Sequence, residues 1–483
     1  MNAMNTMKTE QIGQVRRAAL AAGIGAALVG GVLLFVPDRG PAPETAGPQA
    51  RARAAMEAGA PAALPDLTAL IRDREARVRT HPEDGGAWAV LGSAYVRRGL
   101  MGADPAYYPK ADRALRHSLA VRPGEPSTAA SPRAAGGDDA KAGTGHAPGA
   151  LLGLAELAGA RHDFAAAKRW AETVRKQRPA SWSAYPVLID AYNGLGDYAA
   201  AGKALDKLRE LRSDSPVLTR VATVYRDRGW REDAVVKATE AAARATTPAE
   251  KAAALHTLGE LARERGEPAE ALGHYTAALA ASRDHHPALA GRAAALAALG
   301  RTDEAYRDYQ AALAKYPSLE YTLELGELYE SKGLDGDAAT QYAALRAQGD
   351  RARENGVNEE LVLARAESDH GDPDSAVLRL KAEWNKKHRS VAVADALGWA
   401  LFRAGREKEA LPYARKATEQ GLRSALFIYH RGEIERTLGL DDPARRHIGE
   451  ALRIDPYFSP LLAPKALDAL EELGEPAATE APK

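Results

Sequence analysis

DALGWALFRAGREKEALPYARKA, residues 395–417, is the stretch that decides the fold. The residues on either side of Gly405 favour helix, and Leu397, Leu401, Ala410, Ala414 and Ala417 recur at helical spacing. That pattern predicts two short amphipathic helices joined by a tight turn at Gly405. A lone hairpin of this size would leave most of an apolar face uncovered and would not persist in water. The chain must supply the cover itself, and it does so by repeating the pattern.

The alanine equivalent to Ala410 stands at positions 111, 167, 201, 234, 271, 305, 338, 376, 410 and 444, mostly 33 or 34 residues apart. The turn residue equivalent to Gly405 is Gly99, His162, Gly196, Gly229, Gly266, Gly300, Gly333, Gly371, Gly405 or Gly439. Glycine suits the end of a short helix because it accepts the left-handed backbone that closes many helices. The surrounding motif is Trp88, Leu91-Gly92, Tyr95 and Gly99 in the first unit. It is Tyr185, Leu188, Tyr192, Gly196 and Ala201 in the third, and Leu255, Leu258-Gly259, Gly266, Ala271 and Tyr275 in the fifth. The seventh carries Leu325-Gly326, Tyr329, Gly333, Ala338 and Tyr342, and a closing proline appears at Pro123, Pro179, Pro317 and Pro456.

This register resembles the tetratricopeptide repeat, from about residue 87 to residue 456. The resemblance implies an all-α, right-handed superhelical solenoid of about ten helical hairpins, each burying its open face on the next. Small residues at the Gly398 and Ala410 positions let paired helices approach, while Leu397, Leu401 and Ala417 fill the seam to the following hairpin. Residues 66–80 read as an N-terminal helix over the first hairpin. In "LAPKALDALEEL", Ala463, Ala466, Leu467 and Leu470 read as the inner face of a capping helix.

Some units depart from the pattern. "LMGADPAYYPK" lengthens the turn after Gly99, and residues 122–149 are rich in Pro, Gly, Ala and Ser and read as a disordered insertion. Glu360 and Glu367 stand at usually apolar positions of the eighth unit, and "RAQGDRARENG" ahead of it adds four residues, where the superhelix is expected to kink.

The 483 residues are 45% hydrophobic and 27% charged, a globular composition. The 65 basic and 65 acidic residues cancel, which gives no electrostatic reason to expect nucleic acid. Absence of cysteine excludes disulfides, thiol catalysis, Cys-ligated zinc and lipoprotein acylation. The abundance of Ala, Arg and Gly suits a GC-rich bacterial genome.

Residues 18–36 carry no charge over 19 positions, about 28 Å as helix and close to the hydrocarbon thickness of a bilayer. Lys8, Arg16 and Arg17 precede the run, and Pro37, Asp38 and Arg39 close it. It reads as one uncleaved transmembrane helix; the rival is a cleaved signal peptide, disfavoured because Pro43 follows the Gly40-x-Ala42 spacing. The basic flank keeps residues 1–17 in the cytoplasm and the repeats outside it, with the reversed topology as alternative. Gly23, Ala27 and Gly31 share a face suited to self-association, a spacing that an Ala/Gly-rich span also produces by chance. Residues 37–64 read as a disordered tether. The remaining divisions are 65–121 (leading helix and first repeat), 150–456 (repeats two to ten), 457–473 (cap) and 474–483 (disordered tail).

No catalytic, metal or cofactor constellation emerges. His285-His286 precedes Pro287 and reads as a solvated turn. His430-x-x-Glu433 offers two ligands, which do not make a site. Gly202-Lys203 lacks the spacing and the Ser/Thr of a phosphate loop. An enzyme or small-ligand binder using the groove is the third alternative; the expected function is a non-catalytic scaffold for a protein or peptide partner.

In such repeats the first helix of each pair lines a concave groove. The register puts Trp399, Phe402 and Arg403 there from unit nine, Tyr429, Glu433 and Arg436 from unit ten, and Arg365 and Asp369 from unit eight. Unit four adds Arg220, Thr223, Arg226 and Asp227. Aromatics beside Arg are the composition of binding hot spots; the competing reading packs Trp399 and Phe402 against the capping helix. The Lys and Asn set that clamps a chaperone's C-terminal carboxylate in some members is absent. Unit six offers Ala290, Ala294, Ala297 and Ala298, suited to a close-packed peptide or to a tight superhelix.

Overall fold

The computed structural model describes residues 47–59, 62–121, 147–419 and 421–474. Two helices lead in, α1 (Pro48–Ala58) and α2 (Leu64–Thr80). Ten hairpins follow. The first four are α3 (Gly85–Gly102) with α4 (Tyr108–Ala120), α5 (Ala147–Ala160) with α6 (Phe164–Gln177), α7 (Ala184–Gly194) with α8 (Tyr198–Leu211), and α9 (Ser215–Asp227) with α10 (Arg231–Arg244). The middle three are α11 (Pro248–Arg263) with α12 (Pro268–Ala281), α13 (His286–Ala298) with α14 (Thr302–Lys315), and α15 (Leu319–Glu330) with α16 (Asp335–Glu354). The last three are α17 (Glu360–His370) with α18 (Pro373–Asn385), α19 (Val391–Arg403) with α20 (Glu407–Thr418), and α21 (Ala425–Thr437) with α22 (Asp441–Ile454). A final helix, α23 (Leu462–Leu473), closes the array, and no strand occurs among the described residues.

All ten marker alanines are buried, none more than 2% exposed. They stand where the paired helices approach most closely, and a larger side chain there would force the helices apart. In seven hairpins the turn glycine has φ between 69° and 76°. The backbone around it closes a double hydrogen bond: Gly196 N–H donates to Asn193 O at 3.0 Å and Asp197 N–H to Tyr192 O at 2.8 Å. His162 takes the same left-handed place at φ 55°. Asp163 and Asp197 then cap the following helix with their side chains.

Two turns differ from the expectation. The first helix runs through Gly99 to Gly102, and Ala103, at φ 45°, makes the left-handed turn. Gly99 is small for another reason, because the Tyr108 ring lies against it. Gly371 is extended at φ −157°, and the Asp372 carboxylate caps α18 instead.

The added residues before unit eight do not form a loop. They lengthen α16 to 20 residues, and Ala352 and Val357 beyond the usual end join the core around Leu91, Tyr108 and Leu154. In unit eight Arg379 bridges Glu360 at 2.6 Å and Glu367 at 2.8 Å, which accounts for both acids at seam positions. Residues 48–58, expected within a disordered tether, form α1: Pro48 starts it, Gly59 at φ 71° ends it, and Arg51 meets Asp66 at 2.6 Å. On α23 the buried stripe is Ala463, Ala466 and Ala469, while Leu467 is 58% exposed, contrary to its expected place on the inner face. The remainder of the expected insertion (122–146), the tail from 475, and the uncharged run 18–36 lie outside the described residues. Among the described residues no helix is long and apolar enough to cross a membrane.

The superhelix returns onto itself. The turn of hairpin 2 meets the link entering hairpin 8: Asn358 N–H donates to Arg161 O at 3.0 Å, and His162 Nδ1 lies 2.9 Å from Asn358 O. The turn of hairpin 3 meets the link entering hairpin 9, where Val391 N–H donates to Tyr198 Oη at 2.8 Å. The turn of hairpin 4 meets the link entering hairpin 10, where Arg231 donates to Arg423 O. Gly266 of hairpin 5 packs on Pro456. A constant step of six hairpins joins each pair, so the second superhelical turn stacks on the first.

Candidate functional site: an enclosed concave cavity

Because the turns stack, the concave face is an inner wall. The first helices of hairpins 4 to 10 and the capping segment enclose a cavity of about 580 Å³. On α9, Arg226 lies 3.0 Å from Asp227 and 3.8 Å from Glu264 of α11. On α11, Glu260 pairs with Arg263 at 3.3 Å and accepts the Tyr275 hydroxyl. The α13 wall is Ala294, Ala297 and Ala298. With no bulk there, Arg263 and the Tyr309 hydroxyl reach past α13 to Glu324. Glu320, Glu324 and Glu327 share one face of α15, and Glu320 meets Arg365 of α17 at 2.6 Å.

The wall continues through hairpins 8 to 10. Asp369 accepts the Trp399 indole N–H at 3.0 Å and faces Arg403 at 3.3 Å. Trp399 stacks on His430 with centroids 4.0 Å apart, and Asp395 holds His430 Nδ1 at 3.0 Å. Eight Asp or Glu and five Lys or Arg side chains line the cavity, so acidic groups outnumber basic ones on its wall.

The acids are not equivalent. Burial, then the neighbouring Glu320, pushes the Glu324 carboxyl up to about 8, and Arg263 only partly offsets this. Glu324 touches solvent within the cavity yet has protein around it on all sides, so it is neutral at pH 7. Burial also pushes against ionisation of Glu260, but Arg263, His256 and the Tyr275 hydroxyl outweigh it and hold that carboxyl well below the usual range.

Of the groove residues read from the sequence, Arg226, Asp227, Ala294, Ala297, Ala298, Arg365, Asp369 and Trp399 line this cavity. Trp399 and Tyr429 are 5% and 2% exposed and pack with Ile448 and Ala466 in the core beneath α23. Phe402 packs at the edge of that core. Arg403 is held by Asp369, Arg220 by Asp190, and Arg436 by Glu433 at 3.0 Å and Glu472 of the cap at 3.4 Å. The register located the wall but did not single out Glu320, Glu324, Glu327, Arg263 and Asp395. Their signal was present, since acids three and four residues apart on α15 fall on the groove positions.

His285 and His286 do not form a solvated turn. His285 caps α13, His286 stacks on Tyr316 at 4.2 Å, and burial, then His256, holds both near 4. His430 and Glu433 have different partners, Asp395 and Arg436. Among the described residues no group of three or more His, Cys, Asp or Glu could hold a metal ion. A second cavity, about 530 Å³, lies in the seam between the two superhelical turns, walled by His162, Tyr198, Glu359 and His388.

Three stretches, residues 152–216, 256–319 and 291–352, match the family described as Tetratricopeptide repeat. In these stretches the chain matches tetratricopeptide repeats. The same hairpin continues outside the matched stretches, in hairpins 1, 4, 8, 9 and 10. Among solved structures, the chain is similar to a tetratricopeptide repeat protein from Parabacteroides merdae ATCC 43184, at 20% identity and TM-score 0.32 over 54% of this chain and 99% of that one. A chain of an APC/C hetero-tetramer aligns at 14% identity and TM-score 0.43 over 89% of this chain and 86% of that one. Pseudomonas aeruginosa pilF aligns at 18% identity and TM-score 0.34 over 43% of this chain and 95% of that one. No curated protein matches the chain. No function transfers across likenesses this distant. The repeats themselves suggest a protein-interaction scaffold.

Proposed function

We propose that the chain is a membrane-tethered, non-catalytic scaffold of bacterial origin that holds a segment of another protein in its concave cavity. The cavity carries the reading: seven successive hairpins turn their first helices onto one concave, partly open space of about 580 Å³. A cleft of mixed polar and apolar lining is the form in which proteins hold ligands. Arg226, Arg365 and Trp399 wall it, and Arg220, Phe402, Arg403, Tyr429, Glu433 and Arg436 fix the walls in place. The carboxylates and guanidiniums pair mainly with one another across neighbouring helices, an arrangement that shapes a surface rather than poises a reacting group. The tether is the uncharged run 18–36, with the repeats outside the cytoplasm as the basic flank directs.

The test is a crosslinking pull-down from intact membranes with the full chain and a version lacking residues 1–36. A dominant partner lost with the anchor supports the reading. Equal capture by both forms would show that the anchor does not place the scaffold, and a chain found in the soluble fraction would overturn the tether.

A further inference from the structure

We propose that the cavity takes a cationic side chain, Arg or Lys, presented on an apolar segment of another protein; this rests on the scaffold reading above. Two unrelated features ask for that chemistry. The first is the charge balance of the wall, eight acidic side chains, of which Glu324 is held neutral, against five bases. Three of the bases are already engaged: Arg226 by Asp227, Arg263 by Glu260 and Arg365 by Glu320. Arg423 is drawn to Glu450 at 2.8 Å. On α15, Glu327 has the His370 ring at 3.8 Å, and Arg365, already engaged by Glu320, also acts on it.

The second feature is His430, 5% exposed and part of the same wall. The Asp395 carboxylate accepts from Nδ1, so in the neutral ring Nε2 presents a lone pair, and no partner meets it. A buried acceptor left unpaired is destabilising. A guanidinium or ammonium group has donors only, and supplies both the hydrogen bond and the charge. The mouth of the cavity specifies the rest of the segment. Tyr457 and Leu467 are 50% and 58% exposed there beside Pro460 and Phe427, an apolar rim that flanking apolar residues would cover.

Binding of a cation displaces a proton. The groups facing Glu324 are Glu320, Glu327 and Tyr321 from its own helix, Glu260 and Arg263 from α11, Tyr309 from α14 and Arg365 from α17. These, with burial, keep the carboxyl neutral below about 8. An added positive charge favours the carboxylate, so affinity for a cation rises as pH rises through that value.

The test uses the full chain in phosphatidylcholine nanodiscs and fluorescence anisotropy. The probes are capped nonapeptides of Ala and Leu with two central Arg, two central Gln or two central Glu. The Arg peptide is expected to bind about tenfold more tightly than the Gln peptide, and the Glu peptide more weakly than either. Its affinity should rise severalfold from about pH 6.5 to about pH 8.5, while Glu324→Gln, an isostere of the neutral carboxyl, should fold normally and lose the rise. Glu327→Gln should weaken the Arg peptide and leave the Gln peptide unchanged. Equal binding of the Arg and Glu peptides, or no binding of the Arg peptide, would overturn the proposal. Tighter binding after removal of residues 1–36 would make this chain's own N-terminus the occupant and overturn the commitment to another protein. If a partner crosslinks inside the cavity through an acidic segment, this inference fails and the scaffold stands; if nothing crosslinks there, both fail.

Discussion

Alanine substituted at two turn glycines separates local backbone strain from the stacking of the superhelix. Gly196 and Gly405 have nearly the same backbone, φ 76° and φ 70°. Alanine in that region costs about 1 kcal/mol at either place. Their surroundings differ. A Cβ on Gly405 would meet nothing within 4 Å, whereas one on Gly196 would lie 2.3 Å from the carbonyl oxygen of Arg389 in the link six hairpins on. That neighbour is backbone and cannot rotate away, so the link must move, which adds about 1–3 kcal/mol. Gly405→Ala is therefore expected to destabilise by about 1 kcal/mol and Gly196→Ala by about 2–4 kcal/mol. The assay is urea unfolding followed by circular dichroism, with amide exchange across residues 389–393. Val391 N–H donates to Tyr198 Oη across this seam. A loss of about 2 kcal/mol there raises its exchange about 30-fold in Gly196→Ala and leaves it unchanged in Gly405→Ala. Equal destabilisation by the two substitutions, or unaltered exchange at residues 389–393, would refute the stacking of the two turns.

Three further outcomes follow from the packing and the charges. Trp399→Ala, which empties the core beneath α23, should cost about 3–5 kcal/mol, whereas Trp399→Phe, which removes the N–H to Asp369 and one ring of the indole but keeps an aromatic in the core, should cost about 1–3 kcal/mol; equal losses by thermal unfolding would mean that the indole is not buried as described. A carboxyl raised to about 8 in the folded chain binds more protons folded than unfolded, so its contribution to stability is present below about 4.5 and is lost as pH rises towards 8. Thermal scans should accordingly show Glu324→Gln gaining on the natural chain between about pH 5 and pH 8, and a constant difference would contradict the assignment. Arg379→Ala leaves Glu360 and Glu367 without their shared cation and should lower stability by about 1–2 kcal/mol, less in high salt; a salt-independent loss would point to packing instead.

Much of this architecture is legible in the sequence because it is local and periodic. Gly405, Ala410 and their equivalents recur at one spacing, and each hairpin meets the same demand for a tight turn and a close helix contact. The features that escape reading are non-local. Nothing near Gly196 says that Arg389 will cover it, and nothing near residues 346–356 says that they will extend α16 rather than loop out, because the core they join lies in hairpins 1 and 2. Arg365 and Trp399 line the cavity wall, but local pattern could not show how α21 and α23 bury Trp399 or how Glu320 engages Arg365. The acidity of the cavity was present in the letters as Glu320, Glu324 and Glu327. It became visible once α13, with only alanine on its inner face, let α11, α14 and α15 meet.

The central claim is that a partner segment lies inside the concave cavity. The most direct measurement places a photo-crosslinking side chain at Ala297, on the cavity wall, and for comparison at Leu378, 71% exposed on α18, in the full chain in intact cells. The account predicts a discrete adduct from position 297 and none from position 378. Adducts from position 378 alone would place the partner on the outer surface and contradict it.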